Sequence, residues 1–296
     1  MAPPPYRIVA MIFAVIGLLL NIVEQILLRK KRKLPGSFTV LVAWLSYSDS
    51  FICLTTIGRI IAMFSLDLNA NQKIFHSVTL AIVALGYLLN STTIWLMSLE
   101  RLLAIRMPLW HRRNIKKSKT FRMVTLLWAI CSAIALVLVI VQYYMRLEFF
   151  IVLRILPALF AATFILLLIV YGLIFHEVRK RNRMNLPSSS GRSSSNSSQC
   201  NRKLRIRQQN NVLLLSFKIV ISFLFCNAMY MIYANIEPTG TGPFLVSPPL
   251  GAAICLMVLV TSIDPLLYFF DTYQMRKCIP KRNTPSKEAS SAETKL

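Results

Sequence analysis

The feature of this sequence that most restricts its fold is a series of seven apolar blocks, each long enough to cross a bilayer as a helix. A hydrocarbon core of about 30 Å requires about 20 apolar residues in helical conformation. Inside it every backbone group needs an internal partner, so a spanning structure is helical or a closed barrel. The blocks are continuous and do not alternate in twos, which predicts helices. Hydrophobic residues make up 55% of the chain and charged residues 15%, too few charges for an ordinary soluble surface.

We therefore predict an all-α membrane protein, a bundle of seven transmembrane helices within residues 1–279. The serines of the stretch at 179–210 cannot bury enough surface to fold, so we expect a disordered third loop on the basic side. The segment Asp271 to Ile279 mixes polar and apolar residues and is predicted to be a short amphipathic eighth helix on the membrane surface. A disordered tail follows at 280–296. The spans are expected at about residues 8–28, 38–65, 74–105, 123–145, 147–178, 212–233 and 247–270.

The formal charge of +23 is distributed very unevenly along the chain. Of the 34 Lys and Arg, 27 fall on one set of alternate connections and on the tail. This positive-inside asymmetry predicts a multi-pass plasma membrane protein with an extracellular N-terminus and a cytoplasmic C-terminus. We therefore assign most of the positive charge to the cytoplasmic surface of the membrane, where it attracts anionic lipid. A nucleic-acid partner is not expected.

The cysteines and histidines do not form a recognisable metal or catalytic pattern. No cysteine falls on a proposed outer loop, so we expect no extracellular disulfide, and no CxxC or Cys/His spacing indicates a metal. The three histidines all lie near span ends, which leaves no nucleophile–base set and no catalytic residues. We expect no enzyme activity and no cofactor bound by these residues. The residues concerned are Cys53, Cys131, Cys200, Cys226, Cys255, Cys278, His76, His111 and His176.

Three motifs carry a family resemblance. The third span ends in Glu100-Arg101, followed by Pro108-Leu109, and the seventh ends Asp264-Pro265-Leu266-Leu267-Tyr268. The second contains Leu45-Ser46-Tyr47-Ser48-Asp49. In the right spans and the right order, these motifs resemble the rhodopsin-like G-protein-coupled receptors over about residues 8–279, with a weaker resemblance to prostanoid and melanocortin receptors. Further matches to positions that this family shares are Asn21, Trp128 and Pro157.

The resemblance implies a receptor that transmits a signal to a heterotrimeric G protein. The residues implied in the activation switch and in coupling are Glu100, Arg101, Asp264, Pro265 and Tyr268. Arg101, once released from its neighbour, would offer its five donors to the partner protein. The alternative is that a charged pair at a helix end anchors the helix at the membrane interface.

A second implied site is a polar cluster within the spans. Asp49 and Asp264 lie in apolar segments, where a carboxylate costs about 2.5–3.5 kcal/mol on insertion scales, so both should turn inward and pair. With Asn21, Asn90 and Thr261 they resemble the sodium pocket of rhodopsin-like receptors. The alternative is a proton-sharing cluster that holds the helices together.

The departures from the family pattern predict a divergent receptor with a weakly locked resting state and raised ligand-independent activity. The acidic residue expected opposite Arg101 is Gln209, so no strong ionic latch is expected. Other departures are His76 for the outer cysteine, Asn227 for the span-six tryptophan, Met229 for its proline and Ile165 for the span-five tyrosine.

The ligand is indicated only by two arginines. Arg59 and Arg154 lie in outer halves of spans without an evident carboxylate, which indicates an acidic ligand such as a lipid carboxylate; the alternative is snorkelling to headgroups. Cys278, beside Arg276 and Lys277, is a candidate palmitoylation site. Two further functions stay open: a non-signalling receptor-like protein, and a secondary transporter, although we find no inverted repeat.

Overall fold

The computed structural model describes residues 5–30, 36–65, 72–145, 156–184, 196–236 and 248–277, and all of these segments are helical apart from short connections near residues 107 and 115–116. Among the described residues, seven helices are long and apolar enough to cross a membrane, which confirms the predicted bundle of seven spans. The helices are α1 (Pro5–Lys30), α2 (Gly36–Ser65), α3 (Gln72–Arg106), α4 (Pro108–Asn114), α5 (Lys117–Met145), α6 (Leu156–Met184), α7 (Asn196–Ile236) and α8 (Pro248–Lys277).

The third span is the centre of the bundle. α3 packs against α2, α5, α6 and α7, while α8 closes the ring by packing against α1 and α7. Half of the apolar window of α3 is buried, against 17% of that of α5, so α5 presents most of its surface to lipid. The main apolar core fills the space around α3, and its largest fully buried side chains include Phe38, Ile52, Ile94 and Met97.

Besides the seven long helices, the described residues form one short helix, α4. It is seven residues long and lies in the basic connection after the third span. Pro108 is its first residue, a position that suits proline because the missing N–H would have no helical partner there. The segment predicted as a separate amphipathic helix is helical up to Lys277, but it continues α8 without a break. Tail residues 280–296 lie outside the described segments.

The prediction that residues 179–210 form a disordered loop is wrong at both ends. α6 continues through Arg179 to Met184, and α7 begins at Asn196, well before the apolar span. Once a span is helical, adding a residue to its end forms one hydrogen bond per residue fixed, and Arg, Lys and Gln are good helix formers. Composition alone therefore predicted too long a loop; residues 185–195 lie outside the described segments.

Close helix packing depends on glycines in the spans, among them Gly17 and Gly86. A Cβ on Gly17 of α1 would lie 2.9 Å from the hydroxyl oxygens of Ser262 and Thr261 in α8. A Cβ on Gly86 of α3 would lie 2.8 Å from Ile52 Cγ1 in α2. At these two points the helices approach too closely for a side chain, and this brings the polar groups of α1, α2 and α8 within reach of one another.

Candidate functional site

The first of three candidate regions is the end of α3, where Glu100 accepts hydrogen bonds from three different elements. Arg101 Nε donates to Glu100 Oε2 at 2.5 Å, and its guanidinium also forms an ion pair with the same oxygen. Ser37 Oγ, at the start of α2, donates to Oε1 at 2.8 Å. His111 Nε2, from α4, lies 2.9 Å from Oε1. We call these four residues the Glu100 network.

Arg101 is shielded as well as paired. It is buried, and its guanidinium carbon lies 4.4 Å from the centre of the Phe38 ring. A guanidinium over an aromatic face gains electrostatic attraction in addition to its ion pair. In this conformation Arg101 is held within the bundle and is not presented at the surface.

The latch at this end differs from the one that the sequence analysis considered. At the start of the sixth span, where the family pattern predicts an acidic partner of Arg101, the sequence has Gln209. The structure instead uses Glu100 as the acceptor and recruits His111 and Ser37 to hold it. Charge-assisted hydrogen bonds of this kind are about twice as strong as neutral ones.

The second region is the polar cluster, which the structure places between α1, α2, α3 and α8. Asn90 Nδ2 of α3 donates to Asp49 Oδ1 of α2 at 2.6 Å. Asn21 Nδ2 of α1 donates to the carbonyl of Thr261 in α8 at 2.8 Å. The structure thus brings together Asn21, Asp49, Asn90, Thr261 and Asp264, all of them buried.

The contact between Asn21 and Thr261 follows from Pro265. Proline has no N–H, so a proline inside a helix leaves the carbonyl four residues earlier without its helical donor. Pro265 lies inside α8, and the carbonyl four residues before it belongs to Thr261. Asn21 supplies the missing donor, which links α1 to the bend position of α8.

Glu24 is a member of the polar cluster that the sequence analysis missed. It is buried, one turn from Asn21 on the same face of α1, and close enough to Asp264 and Asp49 for the three charges to act on one another. The sequence does contain a signal for Glu24, because a glutamate within an apolar span is rare and is expected to turn inward. Among the described residues the one buried basic side chain, Arg101, pairs with Glu100 and does not neutralise these carboxylates.

Several oxygens of the cluster accept no hydrogen bond from the described residues. They are both carboxylate oxygens of Asp264, Asp49 Oδ2 and Asn21 Oδ1. Buried oxygens of this kind are normally satisfied, and hard cations such as Na⁺ take oxygen ligands. No three acidic, histidine or cysteine side chains of the described segments meet as a metal site. The oxygens without a donor among the described residues are thus carboxylate and amide oxygens, the ligand types that a hard cation takes.

The third region lies at the opposite end, around Arg59 of α2. Arg59 is close enough to Arg7, Tyr6 and Tyr230 to interact with them electrostatically. The first turn of α1 is fixed there, because Cys255 Sγ of α8 donates to the carbonyl of Tyr6 at 3.1 Å. Arg7 itself lies over the Tyr6 ring, with its guanidinium carbon 6.0 Å from the ring centre. Arg154 and Cys278, also named from the sequence, lie outside the described residues.

Tyr268, the last of the switch residues, is buried in α8 and packs against Phe269 with ring centres 6.2 Å apart. With Pro265 one turn before it, Tyr268 lies on the part of α8 that can bend.

Comparison with known proteins agrees with this arrangement. Residues 11–152 match the family model described as serpentine type 7TM GPCR chemoreceptor Srx. No curated protein matches the chain. The matched part covers the first four spans, including the Glu100 network and most of the polar cluster. The seven candidate spans make the chain a multi-pass membrane protein, and its residues 11–152 are similar to the serpentine receptors of the G-protein-coupled type.

Proposed function

We propose that this receptor activates a heterotrimeric G protein at its basic end, using Arg101 as the group that is released. The observation that carries the proposal is the Glu100 network: a buried arginine held by a glutamate that three separate elements orient. Such an arrangement has two discrete states, with Arg101 folded onto Glu100 or turned toward a partner. The lysines and arginines of this end support an inward orientation and attraction of an acidic partner.

The surface around Arg101 supports docking at this end. In α4, Leu109 is 82% exposed, and Arg112 and Arg113 beside it are also exposed. An apolar side chain flanked by cations is suited to a partner surface with an apolar pocket and acidic rim. The motifs that resemble those of rhodopsin-like receptors favour that branch of the serpentine receptors.

The polar cluster supports control of the switch by a cation. An ion held by Asp49 and Asp264 would tie α2 to α8 and would favour the conformation that keeps these helices together. Pro265, beside the cluster, is where α8 can bend, and Tyr268 follows it. A bound Na⁺ would therefore favour the resting state, whereas sharing of protons among the three carboxylates would reduce its binding.

The opposite end supports an acidic ligand. Arg7 and Arg59 are close enough to repel each other electrostatically, so a carboxylate placed between them would relieve the repulsion of two like charges. The phenolic groups of Tyr6 and Tyr230 could donate hydrogen bonds to the same oxygens. Arg154 stays a ligand-binding prediction from the sequence, as Cys278 stays a lipidation prediction.

The proposal is tested by nucleotide exchange on purified Gα subunits in the presence of the receptor in nanodiscs. Arg101→Ala is expected to remove receptor-dependent exchange. Arg106→Ala is the matched control, because Arg106 is exposed at the end of the same helix. Exchange that persists in Arg101→Ala, or that falls equally in both variants, would contradict a specific role for Arg101.

A further inference from the structure

A packed group of four aromatic rings fills the bundle between α3, α6 and α7. The ring centre of Phe160 in α6 lies 6.1 Å from that of Tyr230 and 6.3 Å from that of Phe223, both in α7. Tyr87 of α3 lies 6.3 Å from the same ring. All three contacts are edge-to-face, and the four side chains are between 2% and 6% exposed. We call these four residues the aromatic floor.

The aromatic floor begins at the depth of Arg59. Arg59 lies six residues before the end of α2, and Tyr230 lies six residues before the end of α7. At 1.5 Å per residue, both are about 9 Å from the outer ends of their helices. Tyr230 is also close enough to Arg59 to interact with it electrostatically. Phe223, about 10 Å further along α7, extends the floor toward the middle of the membrane.

The opposite side of this level is closed by α1, α2 and α8. Ala10, Ile60 and Cys255 form a small buried apolar cluster there, and Tyr6 packs against it. A Cβ on Gly251 would lie 2.8 Å from the ring of Tyr6, so α1 and α8 touch at this point. Since Ile60 directly follows the arginine of α2, side chains of the protein fill the space on this side as well.

Among the residues that the structure describes, these two groups of side chains leave no apolar depth below Arg59. The alkyl chain of an acid whose carboxylate lies at Arg59 therefore has to point back to the outer surface, where it stays near water. In an open apolar pocket each further CH₂ group would raise the affinity about fourfold. At Arg59 this gain should stop after the first few carbons.

We propose that the acidic ligand is a short, water-soluble carboxylic acid and not a long-chain fatty acid, with its carboxylate at Arg59 and with Phe160 limiting its chain length. Arg7, which repels Arg59 electrostatically, adds a second positive charge that favours a small anion. The inference rests on the acidic ligand of the proposed function, but it does not depend on G-protein coupling.

The test measures thermal unfolding of the full chain in nanodiscs with acetic, butanoic, hexanoic and dodecanoic acids. The pH and the sodium concentration are held constant, and the methyl ester of each acid is the uncharged control. Dissociation constants follow from the dependence of the melting temperature on acid concentration, because a ligand of the folded state stabilises it. Butanoic acid should bind at least as tightly as dodecanoic acid, and Arg59→Gln should weaken its binding about tenfold or more.

Phe160→Ala tests the residue that limits chain length. It should open an apolar cavity beside Tyr230, and such cavities stay dry and accept apolar guests. Hexanoic acid should then gain about fourfold in affinity for each CH₂ group that enters, while acetic acid keeps its affinity. Phe160→Leu, which removes less of the core, should give a smaller gain of the same kind. Phe175→Ala is the matched control, because Phe175 lies on the same helix and is 67% exposed.

Three results would overturn the proposal. An affinity of the parent chain that rises about fourfold per CH₂ group up to dodecanoic acid, and that Arg59→Gln removes, would keep the acidic ligand but exclude the limit on its size. An unchanged dependence on chain length in both Phe160→Ala and Phe160→Leu would show that Phe160 does not set the limit. Acids that stabilise the parent chain no more than their esters at any length would exclude the acidic ligand itself.

Discussion

The Glu100 network leads to a quantitative prediction for His111→Ala. His111 Nε2 lies 2.9 Å from Glu100 Oε1, with only 12% of the histidine side chain and 5% of the glutamate exposed. A hydrogen bond to a charged group contributes about 1.5–3 kcal/mol. If the bond exists only in the resting state, its loss shifts the resting-to-active ratio by about 10- to 150-fold. A receptor that is about 1% active would become roughly 10–60% active.

The assay is basal G-protein dissociation in cells, read by a biosensor at matched surface expression. Asn114→Ala is the control, because Asn114 lies on the same short helix and its amide bonds to the carbonyl of Trp110 instead. Ser37→Ala should shift the basal signal in the same direction, since Ser37 donates to the same oxygen at 2.8 Å. Unchanged basal signal in both His111→Ala and Ser37→Ala would refute the view that this network holds the resting state.

Three further predictions follow from packing and charge. Gly17→Ala should destabilise the receptor by about 1–3 kcal/mol in thermal unfolding, whereas Gly58→Ala, with nothing within 4 Å of its added Cβ, should not. Asp264→Asn should abolish the stabilisation of the parent by sodium over choline chloride, and without sodium it should raise the melting temperature by roughly 5–10 °C; a retained sodium effect would exclude this ion site. Arg59→Gln should weaken the response to acidic ligands at least tenfold while basal signalling stays unchanged; an unaltered dose–response curve would contradict the ligand proposal.

The fold could be predicted because the membrane imposes it. Each span requires a long apolar block, and seven such blocks are visible without any knowledge of tertiary contacts. The ends of the helices could not be predicted in this way, because polar helical extensions such as 196–210 leave no hydropathy signal. α4 was missed for the same reason: its only local signal is Pro108 at the first helical position.

The candidate site was predicted in part. A carboxylate in an apolar span must turn inward, and this principle identified Asp49 and Asp264 but was not applied to Glu24 in the first span. The bond from Asn21 to the carbonyl freed by Pro265 joins positions 240 residues apart in the chain, and only the fold shows it. The bond from His111 to Glu100 depends on the orientation of α4, which no local pattern specifies.

The most direct test of the central claim is basal signalling across a panel of Gα biosensors, comparing the parent chain with Arg101→Ala and Arg106→Ala at equal surface level. Our account predicts a basal signal for at least one Gα class, raised by His111→Ala, lost in Arg101→Ala and kept in Arg106→Ala. The account would be contradicted if the basal signal of the parent chain equalled that of Arg101→Ala, and if adding Arg101→Ala to His111→Ala also left the signal unchanged.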